Sequence, residues 1–223
     1  MRQLTIAAMV IALASSAFAV DITSCGMLVP EGETGVLQAD LAGCANAVAL
    51  ERNATLQLNN HTISDCGVFA VDCLDRRCTI EGPGEVTGGG CNIGFFPTVR
   101  RARMIIRDVN VHDTWGTVGG IGVILVAENL TVTNQLDHPN AEGGSQAAVM
   151  GIRLSGTNLT ITDNIGYGIV VYRRLVLSNS TITGNDGNSV GLDFSSGRPP
   201  RFENVTCGLS DGPNGPWGVC TND

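Results

Sequence analysis

Beyond its N-terminus the chain carries no long apolar stretch at helical spacing. Short runs instead alternate apolar and polar residues, as in Thr55-Leu56-Gln57-Leu58, Leu130-Thr131-Val132-Thr133 and Leu159-Thr160-Ile161-Thr162. Period-two alternation with β-branched residues and Asn or Gly punctuation predicts strands with one buried face. Residues 122–134 (GVILVAENLTVTN) and 151–163 (GIRLSGTNLTITD) align without a gap. A Gly-apolar opening also recurs at Gly67, Gly94, Gly168 and Gly191, giving spacings of 27, 28, 29, 17 and 23 residues through Gly122 and Gly151. A period in the twenties, built of short strands, predicts an all-β solenoid in which each coil buries its apolar side chains by stacking on the next. A β-sandwich also needs short strands, but it predicts hairpin turns every ~8–12 residues and no in-phase repeat. The irregular spacing places insertions on one face, such as the stretch from Leu136 to Ala148.

Met1-Arg2, an apolar run from Leu4 to Leu13 and Ala17-Phe18-Ala19 form the pattern of a cleavable export signal. The apolar run is shorter than the ~20 residues a membrane span needs. The expected organisation is a signal peptide over 1–19, an N-terminal cap over 20–55, coils over 56–206 and a C-terminal cap over 207–223. The expected location is extracytoplasmic, either secreted or periplasmic. Eight cysteines follow the cut: Cys25, Cys44, Cys66, Cys73, Cys78, Cys91, Cys207 and Cys220. In an exported chain an even count reads as disulfides. Eight cysteines permit ~105 connectivities, with pairs of sequence neighbours, 25 with 44 and 207 with 220, the simplest choice. No C-x-x-C pair occurs and His61, His112 and His138 are scattered, so neither a metal centre nor another cofactor is expected.

Composition sharpens this picture. All 13 basic residues are Arg, against 21 acidic ones. Removal of the signal takes away only Arg2, leaving 12 − 21 = −9. That balance argues against a nucleic-acid binder, which needs a basic face. One monomeric domain without a membrane span is expected.

The segments Cys25 to Leu28, Gly35 to Cys44 and Leu56-Gln-Leu-Asn-Asn-His-Thr-Ile63 resemble the opening of bacterial secreted right-handed parallel β-helix repeat proteins of the pectin-lyase-like superfamily. The later N-L-T-I-T and N-S-T-I-T-G-N segments resemble that superfamily's generic coil. The resemblance implies a single-domain right-handed parallel β-helix. It implies little about activity, because one fold hosts many functions. The paired aspartates, G-H-G histidine and R-I-K segment that the superfamily's pectin hydrolases share are absent, as is a calcium-binding acid cluster. No nucleophile elbow, phosphate loop or zinc helix occurs either.

Six N-x-[S/T] sequons start at Asn53, Asn60, Asn129, Asn158, Asn179 and Asn204. Their repeat phase favours corner positions, where Asn tolerates a left-handed backbone, over glycosylation. In Arg107-Asp-Val-Asn-Val-His-Asp113 an extended strand puts Asp108, Asn110 and His112 on one face. Asp108, His112 and Asp113 are therefore the candidate acid–base residues. A solvated strand face would look the same, and His61 reads as a stacking or capping residue. Arginines recur at Arg76-Arg77, Arg100, Arg101, Arg103, Arg107, Arg173-Arg174, Arg198 and Arg201. Similar phase predicts a cationic strip able to grip carboxylates or sulfates in bidentate fashion. The candidate substrate-binding set is Arg100, Arg101, Arg103, Arg107, Arg173 and Arg174, with Trp115 and Tyr167 as sugar platforms. Two function classes remain. One is a protein that binds or modifies an anionic extracellular polysaccharide, as a lyase, hydrolase or epimerase if it is an enzyme. The other is a non-catalytic structural or surface scaffold.

Overall fold

The computed structural model describes residues 19–95, 101–136, 147–186, 190–191, 198–211 and 215–221. Arg100, His138, the signal region 1–18 and most of the 136–148 insertion lie outside the described residues. The chain forms one parallel sheet of 20 strands, coiled into a solenoid of about 7 turns with three faces.

The first face stacks Met27–Val29, Asn46–Leu50, Phe69–Cys73, Asn92–Phe95, Val118–Gly119, residues 147–151, residues 167–171, Val190–Gly191 and Ser210–Asp211. The second stacks Ala19–Ile22, Thr34–Leu37, Ala54–Gln57, 77–81, 103–107, Ile124–Glu128, 153–157, 174–178 and 201–203. The third stacks Leu41–Ala42, Thr62–Cys66, 84–89, 109–112, Thr131–Thr133, Thr160–Thr162, 180–183 and 205–207. The 20–55 segment thus supplies strands to the same ladders as the repeats.

Alternation explains the core. On the third face every second residue points inward, so Ile63, Val86, Val111, Val132, Ile161 and Ile182 form one buried column. On the second face Cys78, Met104, Leu125, Leu154 and Leu175 form another. Where Gly156 interrupts a column, the Leu159 and Leu177 side chains fill the space a Cβ would take. Burying a large aliphatic side chain contributes about 1.5–3 kcal/mol, so these columns dominate cohesion.

The register corrects the repeat in one respect. Gly94, Gly151, Gly168 and Gly191 lie within first-face strands, Gly67 shortly precedes one, and Gly122 precedes the second-face strand Ile124–Glu128. The glycines sit at different points of the coil: Gly151 ends its first-face segment, paired with Val171, while Gly168 opens the next, which is why one spacing shrinks to 17 residues. Measured along the second face, the first turn takes 15 residues (Ala19 to Thr34) and later coils run from 21 (Arg103 to Ile124) to 29 (Ile124 to Arg153), the longest containing the insertion.

Corners are set by asparagine. All six sequon asparagines have positive φ, between 49° and 62°. Asn158 donates from Nδ2 to Asn129 Oδ1 at 2.9 Å, and Asn204 donates to Asn179 Oδ1 at 3.1 Å. Inside the solenoid, Asn164 donates from Nδ2 to Asn185 Oδ1 (2.8 Å) and to the Val132 carbonyl (3.1 Å). It also accepts from the Gln135 backbone N–H at 3.0 Å. Four disulfides, Cys25–Cys44, Cys66–Cys91, Cys73–Cys78 and Cys207–Cys220, brace the coils. Among the described residues no helix is long and apolar enough to cross a membrane.

Candidate functional site

Arginine is concentrated on the second face. Arg77 pairs in register with Arg103, Arg103 with Ile124, Ile124 with Arg153, and Arg153 with Arg174. Neighbouring strands lie ~4.8 Å apart, so this is a column of cations broken only at Ile124. The column opens into a groove of about 640 Å³ lined by Arg153, Arg173, Arg174, Leu175, Arg198, Pro199, Pro200 and Arg201. The five arginines are solvent-exposed, while Leu175 and Pro200 are buried and form part of its floor. Among the described residues no carboxylate pairs with Arg153, Arg174, Arg198 or Arg201.

Arg153 is the member the sequence did not flag. It occupies the position of Ile124 in the ungapped repeat, and only strand register shows that this position lines up with Arg103 and Arg174. Counting from glycines does not reveal the column because those glycines sit at different points of the coil.

The other expected arginines divide. Arg103 belongs to the column and Arg101 is exposed at the turn before it, with φ of 59°. Arg107 is neutralised: its Nη1 lies 3.2 Å from Glu81 Oε1 and its Nε 3.5 Å from Glu128 Oε2. It is a cross-strand ion pair rather than part of an open cationic surface.

The acid–base candidates separate. Asp108 has φ of 57°, and the strand register shifts between Arg107 and Val109. It stands at the corner before the third face, where its Oδ1 accepts a 2.7 Å hydrogen bond from Asn129 Nδ2. Asp108 is the first rung of the asparagine ladder. His112 lies at the far end of the next strand, roughly 13 Å away at ~3.3 Å per residue. There His112 Nδ1 is 2.7 Å from Asp113 Oδ2 and 3.2 Å from Thr87 Oγ1, and Nε2 is 3.8 Å from Glu85 Oε2. His112, Asp113 and Glu85 form a small acid–base cluster, and Asp108 is outside it. A shallow depression of about 590 Å³ adjoins Asp108, Glu85, Asn110 and Asn129, but His112 does not line it.

Trp115 and Tyr167 lie elsewhere. The Trp115 indole covers Gly90 at the corner between the third and first faces, where a Cβ on Gly90 would meet its ring nitrogen. Tyr167 begins a first-face strand, in register with Ala147. Neither reaches the arginine groove. His61 Nδ1 lies 3.1 Å from Asp40 Oδ1, which also accepts the Thr62 backbone N–H at 2.9 Å, so His61 acts as a corner partner. The Thr62 N–H, then His61, hold the Asp40 carboxyl below its usual range. Among the described residues no group of His, Cys, Asp and Glu could hold a metal ion. Comparison with protein-family models, with curated proteins and with solved structures gave no match for the chain.

Proposed function

We propose that the protein is an exported binding module that grips an extended anionic polysaccharide along the arginine column of its second face. One observation carries this reading: five arginines line one groove of an acidic chain, and among the described residues four of them lack an acidic partner. Like charges on adjacent coils, as at Arg153 and Arg174, raise the energy of the empty site. A polymer with an acid group on each sugar relieves that repulsion and gains bidentate hydrogen bonds. The four disulfides and the absence, among the described residues, of a membrane-crossing helix are compatible with an extracytoplasmic site of action. The sequence pattern at 1–19 supports export.

The test is binding of the mature protein to polygalacturonate, alginate and a neutral glucan by calorimetry at low and high salt. Charge-assisted hydrogen bonds contribute about 1.5–3 kcal/mol each, so Arg153→Ala with Arg174→Ala lowers affinity for the acidic polymers at least tenfold. Equal binding of neutral and acidic polymers, or no binding to either acidic one, overturns the proposal.

A further inference from the structure

The third face carries a feature unrelated to charge. Its outward positions form two in-register columns. One runs Thr131, Thr160, Thr181 and Thr206, the other Thr133, Thr162 and Thr183. No register shift interrupts the pairings among Thr131–Thr133, Thr160–Thr162 and 181–183. The threonine positions therefore repeat at ~4.8 Å between coils and ~6.6 Å along each strand. Threonine is restricted at χ1, and stacking on an identical neighbour restricts it further. The buried Val132, Ile161 and Ile182 beneath fix the height of the plane.

Among the described residues none of these seven hydroxyls has a hydrogen-bond partner in the protein, and neither column carries a charge over these coils. This combination excludes most partners. An apolar protein surface would strip water from seven hydroxyls and return nothing. A polyanion finds no cation there. Thr131 borders the shallow depression beside Asp108, but the other six threonines line neither that depression nor the arginine groove, so a single small ligand, which favours a recess, does not account for them. What fits is a partner that is itself a flat, periodic hydrogen-bonding lattice. Both repeats approximate oxygen spacings on a prism face of hexagonal ice, and the alternating methyl and hydroxyl groups order water between them.

We propose that the third face, over the coils from Thr131 to Thr206, is an ice-binding plane. Towards the N-terminus the same columns continue through Asn110, Glu85 and His112, whose charge and shape break the lattice. The plane is small, so the expected activity is adsorption to ice and inhibition of recrystallisation. This proposal is independent of the arginine groove, which lies on another face.

The test is ice-affinity partition of the fluorescently labelled mature protein, together with ice-grain growth in a frozen sucrose film. Wild type enters growing ice and holds grain size. Thr160→Lys with Thr181→Lys, both on exposed positions, is excluded from ice and at least tenfold less potent, with an unchanged circular dichroism spectrum. Leu74→Lys, at an exposed position off the third face and outside the arginine groove, behaves as wild type. Exclusion of the wild type from ice, or undiminished activity in a folded Thr160→Lys, Thr181→Lys variant, overturns it. If that pair misfolds, Thr162→Asp alone serves, with the same expected loss.

Discussion

Asn129 is hydrogen-bonded on both sides of its corner: it accepts from Asn158 Nδ2 at 2.9 Å and donates to Asp108 Oδ1 at 2.7 Å. Its φ is 50°, in the left-handed region. Alanine loses both bonds, at about 0.5–1.5 kcal/mol each, and adds left-handed strain of about 1–2 kcal/mol. Glycine loses the bonds but not the backbone freedom. Denaturant titration is therefore expected to rank Asn129→Ala about 2–5 kcal/mol below wild type, with Asn129→Gly between them. Equal losses for both variants would show that the ladder, and not the corner conformation, sets the cost.

Asp72 is the counterexample to this satisfied geometry. It lies on the first face between Ala49 and Gly94 in register, is 6% exposed, and its Oδ1 has no hydrogen-bond partner. Desolvation raises its carboxyl above the ordinary value near 3.8. A raised folded-state pKa means the native state binds more protons than the unfolded chain between the two values. Stability contributed by Asp72 thus falls as pH rises through that window and stays lower above it. Asp40 has the opposite sign, its depressed carboxyl contributing stability that is lost as pH falls. Asp72→Asn is expected to melt higher than wild type at pH 7 and close to it at pH 3. A lower melting point at pH 7 would mean the charge has a partner.

The disulfides differ in how much unfolded chain they restrain. Cys66–Cys91 closes a separation of 25 residues and joins successive coils, while Cys73–Cys78 closes only 5. Loop entropy assigns about 3 kcal/mol or more to the former and less to the latter. Replacing Cys66 and Cys91 together by serine is expected to lower the thermal midpoint more than replacing Cys73 and Cys78, as read by calorimetry.

Which parts of this architecture were visible in the chain follows from the range of the interactions. The two-residue alternation around Val132 and Ile161 reports a local choice, inward or outward, so strands and coil stacking could be read directly. Asn-x-Thr repeats marked left-handed corners for the same reason. The arginine column is non-local: Arg103, Arg153 and Arg174 share one column because each coil closes on the last after a variable length. Only strand pairing supplies that length. Asp108 and His112 looked like neighbours on an extended strand until the corner at Asp108 separated them. The threonine columns were written in the T-V-T and T-I-T repeats, but those triplets read equally well as ordinary outward strand positions.

Arg153 and Arg174 supply the last prediction, since they are register partners on adjacent strands with no carboxylate between them. Two guanidinium charges ~7 Å apart repel by roughly 0.6 kcal/mol in water, and more over a partly apolar floor such as Leu175 and Pro200. Arg153→Gln is expected to melt slightly higher than wild type in low salt. The gain should vanish near ~1 M salt, where the screening length is only ~3 Å. Saturating polygalacturonate acts in the other direction on the two proteins. At ~100-fold excess over its dissociation constant a ligand stabilises by about 2.7 kcal/mol, or roughly 5–10 °C for a domain of this size. Wild type is expected to show that shift by differential scanning fluorimetry and Arg153→Gln, Arg174→Gln much less. If the double variant gains as much as wild type, the arginine groove is not where the polymer binds.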